Sequence, residues 1–388
     1  MKLTHLLLPL GLTATLLAGC AGSVEPQYPP KELQDFTPKV SLDERWDQGI
    51  GEGLGRARYP LTPIVDSGTL YAVDQTGDLH AIDTDSGETQ WEVELGTPIS
   101  SGIGADSSRL YIGTRNGEVL AIDRGDGSID WKSRVSSEVL AAPQVNSELV
   151  VVQSVDGAVT ALDRLNGNEQ WVYSSSQPAL TLRGTGAPRV IEPVSFAGFA
   201  NGRLVTLDNR SGQPLWDMRV AVPKGRTEVD QLVDLDGQPV LTQDGRLFVT
   251  SYNGRLLALE ATSGKVLWEH EESSYLTPLV VGNYLFTVNE ASHVIAIEAD
   301  TGRVMWDSDT LEGRSLTAPS FVDGNIVVGD YEGYIHLIDA STGEMNGRVE
   351  IGGDGLTLPL LTGNQRIYAL SNDGTLVAYD LETLSDRN

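Results

Sequence analysis

Cysteine is almost absent: Cys20 is the single one in 388 residues, so no internal disulfide can form. Histidine is scarce as well. Beyond the N-terminal segment only His80, His270, His293 and His336 remain, and none falls at a zinc-ligand spacing, so no metal site is expected. Positive charge is in short supply: 27 Lys and Arg stand against 54 Asp and Glu, a net charge of -27. That excess argues against binding nucleic acid or an anionic membrane face through bulk charge, and it reads most simply as a solvated acidic surface. There is no Gly-x-Ser-x-Gly nucleophile elbow. The glycine-rich stretch Gly49–Gly55 misses dinucleotide-binding spacing and leads into no helical pattern, so it is expected to be a loop. After residue 20, no apolar run approaches the roughly eighteen residues of a membrane span.

The two ends of the N-terminal segment carry an address. Lys2 precedes an apolar run, Leu6 to Leu17, which ends in Leu17-Ala18-Gly19-Cys20. Positive start, short apolar stretch and small residues before a cysteine are the pattern of a lipoprotein signal peptide over 1–19, with Cys20 as the lipid attachment point. Ala21 rather than Asp follows, which favours the outer membrane. Acyl chains on Cys20 would anchor a soluble domain facing the periplasm. Residues 20–39 hold four prolines and few large apolar side chains, and are expected to form an extended tether.

From residue 40 the chain repeats itself. Gly77-x5-Asp83-x3-Gly87-x3-Trp91 recurs as Gly117 to Trp131, Gly157 to Trp171, Gly202 to Trp216, Gly254 to Trp268 and, with Ser292 in the first place, to Trp306. A seventh copy runs from Gly333 to Gly347, and an eighth begins at Gly374 but stops before its tryptophan position. The acid is present every time, as Asp83, Asp123, Asp163, Asp208, Glu260, Glu298, Asp339 and Asp380. Each unit predicts four strands: one opened by a proline, an apolar one, an alternating one ended by the acid, and one carrying the tryptophan. Four strands per unit in eight units specify an all-β, eight-bladed propeller with antiparallel blades over 40–388. Trp46 stands alone before the first copy. An N-terminal strand is therefore expected to complete the last blade and close the ring. Trp46, Trp91, Trp131, Trp171, Trp216, Trp268 and Trp306, all the tryptophans of the chain, are expected to dock between blades. The acids recur once per blade around the rim and are expected to serve turns rather than metal. His80 and His336 hold matching third-strand positions, which suggests a blade-surface role.

The Ala-x-Asp-x3-Gly-x3-Trp run resembles the tryptophan-docking repeat of pyrroloquinoline-quinone propellers. With the Cys20 anchor, the eight units and the Trp46–Gly55 lead-in, residues 40–388 resemble the BamB family, propeller lipoproteins of the outer-membrane β-barrel assembly (Bam) machinery. The resemblance implies a non-enzymatic scaffold with no catalytic residues and no cofactor. It would bind the periplasmic domains of BamA and aid insertion of β-barrel proteins. Whether unfolded outer-membrane proteins bind directly stays open. Two alternatives remain: a quinone-dependent periplasmic dehydrogenase, against which the lack of adjacent cysteines and the short chain both count, and a ligand-binding or sensor propeller. Fold-level likeness alone does not decide among them.

Connection lengths point to one region. The stretches 172–187 and 217–238, which enter the fourth and fifth units, and the stretch after Trp46 are longer than the others. The first contains Leu180-Thr181-Leu182-Arg183 and the second Asp234-Leu235-Asp236. In the family resembled, such segments are implicated in BamA contact, which makes Leu180, Leu182, Arg183, Asp234 and Asp236 the expected partner-binding residues. The alternative for the leucines is packing beneath the loop, and for the two acids it is capping a turn before Gly237.

Overall fold

The alternating third strand of each unit, such as Asp78–Asp83, buries its interior residues on both faces. Sheet faces that are apolar on both sides need a sheet on each side, and a ring of blades supplies one. The structure, a computed structural model, describes residues 26–178, 180–182, 186–224, 226–229 and 231–384. The segment 1–25, with Cys20, lies outside them, as do Arg183 and residues 385–388.

There are eight four-stranded antiparallel sheets. Blade 1 comprises Ile64–Asp66, Thr69–Val73, Asp78–Asp83 and Thr89–Glu94. Blades 2 to 7 follow in sequence order. Blade 8 is completed from the other end of the chain. Val40–Gly49 pairs antiparallel with Thr375–Thr383, from Val40 opposite Thr383 to Gly49 opposite Thr375, with a bulge between Glu44 and Trp46. First strands of neighbouring blades touch one another, as Gln144–Val145 touches both Ile99–Ala105 and Arg189–Val190. They therefore ring the axis, and the fourth strands lie outside.

The tryptophans join neighbouring blades. Each indole N–H donates to a backbone carbonyl of the next blade: Trp46 to Thr84, Trp91 to Arg124, Trp131 to Arg164, Trp171 to Asn209, Trp216 to Ala261, Trp268 to Ala299 and Trp306 to Ala340, at 2.7–3.2 Å. The repeat glycine has two reasons to be glycine. Gly87, Gly127, Gly167, Gly212, Gly264, Gly302 and Gly343 all have positive φ. Each also lies under the indole of the preceding blade, where a β-carbon would come within 2.5–3.0 Å of the ring. The acid four residues earlier accepts turn N–H groups, as Asp83 Oδ1 does from Asp85 and Ser86.

Residues 26–39 run along blades 6 and 7. Tyr28 donates to Glu290, Lys31 pairs with Asp309, Leu33 packs into the cluster of Leu311 and Leu316, and the Arg348 guanidinium lies over Phe36. The glycine-rich loop covers the seam between blades 8 and 1. Ile50 and Leu54 are buried there, and Gly53 abuts the Asp373–Gly374 backbone. His80 and His336 are buried on blade faces rather than exposed, because those faces are where blades pack on one another.

Candidate functional site

The connections 172–187 and 217–238 enter blades 4 and 5 on one face of the disc. Their starts are pinned. Asn201 Nδ2 donates to Ser175 Oγ and to the Ser176 carbonyl, while Arg255 donates through Nε and Nη2 to the Val220 carbonyl. The second connection then turns inward. Leu232, Val233 and Leu235 are buried, and Leu235 joins Phe196, Val220, Leu247 and Leu257 in one apolar cluster. Gly198 and Gly186 make room for it: a β-carbon on either would stand 2.8 Å from the Leu235 carbonyl oxygen.

The two connections meet through Asp234. Its Oδ2 accepts the Leu182 N–H at 3.2 Å and its Oδ1 accepts the Leu235 N–H at 2.9 Å. Its own carbonyl accepts the Tyr252 N–H at 2.8 Å, which makes an isolated bridge to blade 5. Asp234 is 2% exposed. Burial pushes its carboxyl up to about 6, and the N–H groups of Leu182 and Leu235 hold it from rising further.

The predicted residues thus divide. Leu180 is exposed, at 42%. Leu182 is half-buried with its N–H committed to Asp234, and Asp236 is half-buried. Asp234 is a buried organiser. Arg183 lies outside the described residues. Beside them the structure adds exposed apolar side chains that sequence reasoning passed over: Val222 and Val229 on the 217–238 connection and Tyr275 on the next one. For Val222 and Val229 the signal was only that of apolar residues within a long connection, and Tyr275, on a short one, carried none. The cleft that Asp234 and Asp236 line with Gln153, Gln177, Thr181 and Gly186 has a volume of about 20 Å³, space for about one water. This face can therefore present apolar and acidic groups to a macromolecule, and the cleft beside Asp234 itself is too small for a cofactor.

A family model described as "Outer membrane protein assembly factor BamB" matches residues 75–308 and 293–386. A curated protein of Pseudomonas aeruginosa bearing the same description is 46% identical over 95% of this chain and 97% of its own length. The crystal structure of BamB from Moraxella catarrhalis superposes with a TM-score of 0.80 at 27% identity, covering 88% of this chain and all of that one. Quinohemoprotein alcohol dehydrogenase of Comamonas testosteroni superposes with a TM-score of 0.68 at 13% identity, over 89% of this chain and 78% of its own, a likeness of fold alone.

Proposed function

The chain belongs to the BamB family of outer membrane protein assembly factors, and from that premise we propose that it is a non-enzymatic scaffold of the outer-membrane β-barrel assembly complex. In this proposal Cys20 carries the lipid, the propeller faces the periplasm, and the connections into blades 4 and 5 bind the periplasmic domains of BamA. The observation that carries the site is the bond between Leu182 and Asp234. It ties one long connection to the other, so that Leu180 is held outward on a pinned segment. Pre-ordering of this kind lowers the entropic cost of association. Leu180 and Arg183 make the contact, Leu182 and Asp234 position it, and Asp236 flanks it.

The test is co-purification of the full chain with BamA from gently solubilised membranes. Leu180→Asp should abolish capture while the melting temperature stays that of wild type. Capture equal to wild type by a folded Leu180→Asp protein would place the contact elsewhere. The dehydrogenase alternative has only the fold in its favour. Stoichiometric quinone binding in calorimetry would revive it.

A further inference from the structure

Blade 1 holds an arrangement that blades 2, 4 and 5 resolve differently. On its third strand Asp78 and His80 lie two residues apart and so share a face. On its fourth strand Glu92 stands directly opposite His80, and Glu94 directly opposite Asp78. Three carboxylates and one imidazole therefore occupy one patch. Like charges directly across a strand pair are destabilising. Blades 2, 4 and 5 place opposite charges on the same pair of strands: Glu118 with Arg134, Arg203 with Asp217, and Arg255 with Glu269. Among the described residues no Lys or Arg pairs with Asp78, Glu92 or Glu94.

The polar atoms are poorly satisfied as they stand. His80 is 7% exposed, and its Nε2 has no hydrogen-bond partner, although Asp78 Oδ2 is 3.2 Å away. Asp78 Oδ1 is likewise buried without a partner. His80 Nδ1 lies 3.9 Å from Glu92 Oε2. One donor atom from each of Asp78, His80 and Glu92 lies within 4.8 Å of the other two. Ligands held about 2.0–2.2 Å from a tetrahedral zinc ion stand roughly 3.5 Å from each other, so a modest closure of these side chains reaches that spacing.

We propose that Asp78, His80 and Glu92 form a divalent transition-metal site, with Zn²⁺ the best match to one nitrogen and two carboxylate oxygens. Side chains of this mixed type suit zinc or cobalt better than magnesium, which prefers an all-oxygen octahedral shell. A water completes the fourth position on the side of Glu92, which is the exposed member. The location suggests a structural role. Ala81 pairs with Trp91, which turns towards blade 2, so alternation turns His80 towards blade 8 and the seam where the ring closes. The metal would supply at this seam the positive charge that arginine supplies in blades 2, 4 and 5.

The experiment is calorimetric titration of the purified full chain with ZnCl₂, with CoCl₂ and MgCl₂ run in parallel, alongside thermal unfolding with and without Zn²⁺. Zn²⁺ should bind with one equivalent and raise the melting temperature, while Mg²⁺ should do neither. Glu92→Gln alters an exposed side chain and keeps the fold, and it should weaken Zn²⁺ at least about tenfold. His80→Asn should abolish the binding and the thermal shift together. Absence of a Zn²⁺ binding event would show that His80 merely lies between two carboxylates, and the proposal would fail. It would fail equally if binding were undiminished in both variants, which would make the ion adventitious.

Discussion

A β-carbon at Gly87 would stand 2.5 Å from Cγ of Trp46. Trp46 is on the closing strand and Gly87 is in blade 1, so this contact joins the two ends of the ring. Gly87 also has φ of +74°, which an L side chain adopts only at a cost. Gly68 has φ of +83° with nothing near its would-be β-carbon. Gly87→Ala should therefore cost about 2–4 kcal/mol, backbone strain plus overpacking, and Gly68→Ala only about 1 kcal/mol. Denaturant midpoints of the two variants decide it, and equal losses would remove the closure argument.

Trp131 is 9% exposed, and its N–H donates to the Arg164 carbonyl. Trp131→Ala should lower stability by about 3–5 kcal/mol, and Trp131→Phe by roughly half of that or less, since much of the packing survives while the bond is lost. If the two variants unfold at the same midpoint, the indole contributes little through packing between blades.

Two carboxyls are raised by burial: Asp234 to about 6 and Glu272 to about 7, with Asp307 adding to the second. Both take up a proton more readily folded than unfolded, where they titrate near 4. The folded state is thus penalised above those values and relieved as pH falls towards 5. Asp74 and Asp330 are shifted the other way: hydrogen bonds, and for Asp330 His336 and Arg314, hold their carboxyls below the ordinary range despite burial. Their stabilisation is lost only below about pH 4. Stability should therefore be greatest at mildly acidic pH. Asp234→Asn with Glu272→Gln should flatten the profile between pH 5 and 7.5, as read by melting temperature. An unchanged slope in the double variant would show that neither carboxyl governs it.

Much of this was visible in the chain because it is local. The Asp83-to-Gly87-to-Trp91 spacing encodes a strand end, a turn and a docking side chain within one short stretch, and repetition made the pattern unmistakable. The ring closure followed from Trp46 standing where the eighth unit lacked a tryptophan. What could not be read depends on partners distant in sequence. Asp78 and Glu92 meet at His80 only through the register of their two strands, and histidine spacing along the chain carries no trace of it. The bond of Leu182 to Asp234 joins separate connections. Leu33 and Phe36 looked like ordinary tether residues, yet they lie on blades 6 and 7, since an extended segment with scattered apolar side chains can still cover a groove. His80 and His336 were aligned correctly within the repeat, but a blade's surface is its neighbour's packing partner, so both are buried.

The contact residues and the positioning residues of the proposed BamA face should behave differently. Leu180 is exposed, so Leu180→Asp replaces desolvated contact with a charge and leaves the propeller intact. Arg183→Glu should act in the same way, because arginine is enriched where interfaces concentrate their energy and its fork bonds carboxylates bidentately. Both variants should lose BamA capture with no change in melting temperature. Asp234→Ala works through the loop. It frees the Leu182 and Leu235 N–H groups, the second of them on a residue of a buried apolar cluster. It should weaken capture by a smaller factor and lower stability by about 1–3 kcal/mol. Asp234→Asn keeps one acceptor and should restore part of both. The readouts therefore separate the roles: loss of binding without loss of stability marks contact, and loss of both together marks positioning. If Asp234→Ala lost binding as fully as Leu180→Asp while melting like wild type, Asp234 would itself touch the partner, and its burial in the free protein would have to be relieved on binding.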